Sequence, residues 1–66
     1  MGMPEKQFQV FYAEEAVDYL IGQYRLTRDE AYDVVHSTRS VERVRDRHVF
    51  LRSDIDKTYE RQYGLL

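Results

Sequence analysis

Residues 26–31, Leu26-Thr27-Arg28-Asp29-Glu30-Ala31, constrain the fold more than any other stretch of this 66-residue chain. The Thr27 hydroxyl is placed to accept a hydrogen bond from the backbone N–H of Glu30. The Glu30 carboxylate is placed to reach back to the N–H of Thr27. Two donors that every helix start leaves orphaned are satisfied at once. Leu26, outside the cap, and Ala31, one turn in, add a hydrophobic staple. A helix therefore starts at Arg28, and a longer one upstream has to stop before Leu26.

Upstream, Phe8, Tyr12, Ala16, Tyr19, Leu20 and Tyr24 recur at three- and four-residue spacing, and Phe11 and Val17 widen the stripe. With Pro4 in the first turn and Glu5 at the positive end of the dipole, this predicts one amphipathic helix of about five turns. It ends between Gly22 and Arg25. Helix two runs from Arg28 to about Ser37 and buries Ala31, Val34 and Val35. After a turn through Ser37-Thr38-Arg39, Ser40 is expected to cap a short third helix carrying Val41 and Val44. The period changes at His48-Val49-Phe50-Leu51-Arg52, where Val49 and Leu51 alternate with other residues and predict an extended segment. Ser53 then restarts a helix, with Asp54 and Asp56 in its first turn and Ile55 and Tyr59 facing inward. Gly64 ends it as a C-terminal cap with Leu65 folding back. The expected fold is mostly α: a compact bundle of about four helices with one short extended segment near residues 48–52, all of 1–66 forming one small domain.

A chain of this length builds a core worth only about 3–5 kcal/mol. It has no cysteine to add a disulfide or a thiolate-bound metal. Association with another chain is the remaining source of stability. Six Tyr and three Phe exceed what so small an interior can hide, and tyrosine suits interfaces because its ring buries while its hydroxyl stays wet. Phe11, Tyr12, Tyr19, Tyr59, Tyr63 and Leu66 are the candidate interface residues, for a homodimer or for another protein. Charged residues make up 33% of the chain, and no apolar run approaches the roughly 20 residues of a membrane span. No secretory signal pattern is visible, and Lys6 stands where a myristoylation motif needs Ser or Thr. The expected location is cytoplasmic.

Catalysis finds little support. His36 and His48 match no metal-ligand spacing, and Ser37 beside His36 on one helix points elsewhere. Asp54 and Asp56 are explained by the helix dipole, and two carboxylates alone make a poor calcium or magnesium site. No enzyme, cofactor, metal or small-molecule substrate is expected. Charge points to a different function. The net charge is −2, but residues 1–33 carry the acidic excess and residues 34–66 the basic one. Arg39, Arg43, Arg45, Arg47 and Arg52 face only Glu42 and Asp46 across residues 39–52. A solvated face with intrachain pairs explains this most simply. The alternative lays Thr27 to Asp46 on a helix-turn-helix, with Ala31, Val41 and Val44 inward and the arginines offered to DNA. Against it, Val35 or His36 fills the usual glycine position, and Glu42 and Asp46 share the recognition helix.

The aromatic first helix (Phe8, Phe11, Leu20), the start of the second (Leu26, Thr27, Glu30, Ala31, Tyr32) and the following Ser40 and Val41 form a pattern. With the late Asp54-Ile55-Asp56, it resembles small bacterial helical proteins of unknown function encoded beside ADP-ribosyltransferase-like toxins. Between Val44 and Ser53 the chain is shorter than that pattern and lacks its Tyr-x-x-x-His stretch. The resemblance implies an antitoxin-like or regulatory partner of another bacterial protein and carries over no catalytic residue. The expected function is thus a non-catalytic protein–protein interaction module, with DNA binding through the Arg39–Arg52 region as the alternative.

Overall fold

Phe11 and Phe50 organise the fold by pairing across two antiparallel strands and turning their rings onto the same face. The computed structural model describes residues 9–64. In chain order the elements are β1 (Val10–Tyr12), α1 (Ala13–Tyr24), α2 (Arg28–His36), β2 (Glu42–Val44), β3 (Arg47–Leu51) and α3 (Arg52–Tyr63). The strands form one antiparallel sheet in the order β1-β3-β2. The architecture is therefore mixed, three helices on a small sheet, and not a four-helix bundle.

Two elements correct the sequence reading. The first expected helix begins only at Ala13, and Val10-Phe11-Tyr12 is an edge strand. Its residues satisfy a two-residue alternation as well as the helical one, and the long-range partner Phe50 decides between them. Pro4, Glu5 and Phe8, which carried the early part of that expectation, lie outside the described residues, as do Leu65 and the interface candidate Leu66. The expected third helix is the strand β2, paired through Glu42, Arg43 and Val44 with Val49, His48 and Arg47. Two valines three apart are too short a stripe to hold a helix against β-branched preference and a waiting partner strand. Arg45 and Asp46 make the two-residue turn with φ of 53° and 65°, the left-handed pair that a tight hairpin requires.

The other expectations match the structure closely. Glu30 N–H donates to Thr27 Oγ1 at 3.1 Å and Thr27 N–H donates to Glu30 Oε1 at 2.9 Å. α1 closes with Arg25 in the left-handed region (φ 59°), its N–H donating to Ile21 O at 2.9 Å. The extended segment is β3, and α3 ends on Gly64 at φ 62°. α3 starts one residue earlier than expected, with Leu51 and not a side-chain cap at its N-terminus.

The core is Phe11, Ala16, Val17, Leu20, Ala31, Val34, Val35, Phe50 and Ile55, drawn from all three helices and two strands. α1 and α3 lie on β3, and α2 packs against both of them. The Cα envelope measures 33 × 30 × 18 Å, which is two layers thick. Among the described residues no helix is long and apolar enough to cross a membrane.

Candidate interaction surfaces

Strand alternation gives the sheet two different faces. Phe11 and Phe50 point into the helical layer. Val10, Tyr12, Val44, Val49 and Leu51 therefore point the other way, together with Glu42 and Arg47. Val49 sits at the centre of this second face, opposite both Tyr12 and Glu42, and is only 7% exposed without belonging to the main core. The Arg47 guanidinium lies 3.9 Å from the centre of the Tyr12 ring. Val10 at the rim is 50% exposed. A shallow groove runs across the face between Val10, Tyr12, Val44 and Val49, with Glu15 and Glu42 at its margins.

The aromatic residues expected at an interface are distributed unevenly. Tyr12 lies on the second sheet face, and Phe11 is buried in the core. Phe11 also starts a row of rings along α1 and α3: Phe11–Tyr19 at 5.0 Å, Tyr19–Tyr24 at 6.4 Å, Tyr24–Tyr59 at 3.8 Å and Tyr59–Tyr63 at 5.1 Å. Most of this aromatic area is used inside the fold, and Tyr63 at the end of the row is 38% exposed. Asp56 holds the row together. Its Oδ1 accepts from Tyr19 Oη at 2.7 Å and from Tyr24 Oη at 2.8 Å. Arg52 Nε donates to Tyr19 Oη at 3.0 Å and stands 3.8 Å from Asp56 Oδ2. Burial raises the pKa of the Tyr24 phenol well above 10.0, and the Asp56 carboxylate adds to the effect. Tyr19 is raised by the same burial and by Asp56, with the Arg52 hydrogen bond opposing. The sequence suggested a dipole partner in Asp56. Its role as a double acceptor depends on contacts 32 and 37 residues away and has no local signal.

The five arginines also separate. Arg52 belongs to the aromatic row. Arg47 lies over Tyr12, Arg45 occupies the hairpin tip, Arg43 pairs with His48, and Arg39 is in the α2–β2 loop. A recognition helix is not what carries them, because residues 42–44 are a strand. Lys57 and Arg61, one turn apart on α3, join Arg39, Ser37 and Thr38 around a groove that also contains Asp54. Neither α3 cation stood out in the sequence, since only the fold brings them to the loop. The Ser40 hydroxyl and His48 Nδ1 meet at 3.1 Å on the exposed surface. Among the described residues no carboxylate orients that ring, so the pair lacks the third member of a nucleophilic triad.

The chain matches no protein-family model, no curated protein and no solved structure.

Proposed function

We propose that the protein is a non-catalytic protein-interaction module that works through the uncovered face of its sheet, and that the first occupant of this face is a second copy of the chain. The observation that carries this reading is that every helix packs on the Phe11–Phe50 side, so that among the described residues no second layer covers the exposed Val10 and the half-buried Tyr12, Val44 and Leu51. Apolar surface of this kind on so small a domain is a place where association adds the burial that one core lacks. Self-association is favoured over other occupants by charge. Glu42 and Arg47 sit on the same face on neighbouring strands, so a two-fold axis in that face sets Glu42 of one copy over Arg47 of the other, twice. The resemblance of the capping-box region to small toxin-neighbouring bacterial proteins is in keeping with binding rather than catalysis.

Sedimentation equilibrium over a concentration series tests the reading. The wild type is expected to form a dimer, and Val44→Lys, a half-buried position outside the main core, to remain monomeric with an unchanged far-UV spectrum. Glu42→Arg and Arg47→Glu each weaken the dimer, and the two together restore it. A wild type that stays monomeric at the highest concentrations overturns the proposal.

A further inference from the structure

One end of the molecule collects more positive charge than negative. Lys57 and Arg61 on α3 and Arg39 in the α2–β2 loop line a single groove with the small polar residues Ser37 and Thr38. The surface continues from Thr38 past Ser40 to His48, whose neighbour across the hairpin is Arg43. Arg45 follows at the tip. These five cations come from three separate pieces of chain: Arg39, Lys57 and Arg61 share one groove, and Arg43 and Arg45 follow on the hairpin beside and beyond His48. Among the described residues the ion pairs are Arg28–Asp18 and Arg52–Asp56, and none of the five takes part in either. Asp54 in the groove and Asp46 at the tip leave the strip with a positive excess. Glu60 stands beside Arg61 on α3 and Glu42 beside Arg43 on β2, whereas Glu14, Glu15, Asp18, Asp29, Glu30 and Asp33 lie on α1 and α2.

We infer that this strip, from Lys57 and Arg61 through Arg39 and Arg43 to Arg45, binds the phosphodiester backbone of a nucleic acid. The make-up of the strip favours a nucleic acid over an acidic protein. The groove around Arg39, Lys57 and Arg61 is lined by polar and charged side chains, Val35 and Phe50 on the path to His48 are buried, and Val41 is the one large exposed aliphatic residue beside the strip among those described. The strip therefore lacks the apolar centre around which protein interfaces are organised. Four of the five cations are arginines, whose planar fork suits phosphate and carboxylate oxygens alike, so the choice between them rests on the missing apolar centre. The tip position, moreover, holds an arginine at φ 53°, where Asn or Gly would sit without strain but would bring no charge. The carboxylates of α1 and α2 repel the same polyanion and turn it toward this end.

The strip is distinct from the sheet face, because Glu42 and Arg47 alternate to the other side of the hairpin from Arg43 and His48. Its test is therefore independent of the oligomeric state. Fluorescence anisotropy with labelled duplex DNA, single-stranded DNA and single-stranded RNA is measured from about 50 to 200 mM salt. Binding is expected at the low end, with affinity falling along a log–log slope of about −3 to −4, as for roughly four phosphate contacts. Arg39→Ala, Lys57→Ala and Arg61→Ala each weaken binding and flatten the slope by about one phosphate contact. Arg28→Ala, at the start of α2 and paired with Asp18 rather than lining the groove, leaves it unchanged. The preferred strand type identifies the nucleic acid. Absence of binding at the lowest salt, strip variants that bind like wild type, or polyglutamate competing as well as nucleic acid at equal charge would each overturn the inference, the last in favour of an acidic protein.

Discussion

At the scale of single residues, Asp56 does more than its sequence context suggests. One carboxylate oxygen accepts two phenol protons, and its other oxygen faces Arg52. Removing it strands two half-buried hydroxyls among stacked rings. Asp56→Ala is expected to lower stability by about 1–3 kcal/mol, the range for losing the partner of a buried polar group, read as a shift of the urea midpoint. The same network sets an alkaline limit. The folded Tyr24 phenol holds its proton above the ordinary pKa of 10.0, whereas the unfolded one does not. Its contribution is therefore complete below about pH 10 and is lost as pH rises further. Stability is expected to fall above that pH in the wild type and to fall less in Tyr24→Phe, measured by denaturant titration at a series of pH values. Little of this was legible beforehand, because Tyr19, Tyr24 and Asp56 look like ordinary members of two helix stripes until α3 is laid beside α1.

At the scale of elements, the readable parts are those whose signal is local. Thr27 and Glu30 are three residues apart and need nothing else to define a helix start, and Gly64 ends α3 because it adopts a left-handed φ without a Cβ penalty. β1 and β2 were not readable in this way. Each is three residues long, and each becomes a strand only through a partner, β3, that lies elsewhere in the sequence. The hairpin also lacks the Asn-Gly signature that would have announced it. Its turn is made by Arg45 and Asp46 at positive φ instead. Replacing these two by Asn and Gly relieves the left-handed strain at both positions and is expected to stabilise the fold by about 1 kcal/mol, seen as a higher urea midpoint with an unchanged slope. Loss of stability in that variant would mean that the tip residues make contacts beyond the turn itself. The candidate surfaces were partly legible for the same reason. The arginine run could be read directly, but its split between two hairpin faces follows only from the strand register.

At the scale of the whole molecule, the chain is two layers with a single small core, and Leu20 stands fully buried at its centre. Leu20→Ala is expected to cost about 2–5 kcal/mol, as large as the whole stability of many domains of this size. Circular dichroism at room temperature should show most of the helix signal lost, and retention of a full cooperative transition would indicate support from association. The same compactness imposes an order in time. α1 and α2 are consecutive and pack closely on one another, so a helical hairpin can collapse while the rest of the chain is still being made. Phe11 finds its place only when Phe50, 39 residues further along the chain, has been made. Closing that long loop is the slow kind of step, since its entropy is lost before the contact repays it. A newly synthesised molecule therefore passes through life first as a pair of helices. The surface proposed to meet another copy does not exist until β3 has been made and has paired with β1 and β2, so the helices precede the means of assembly.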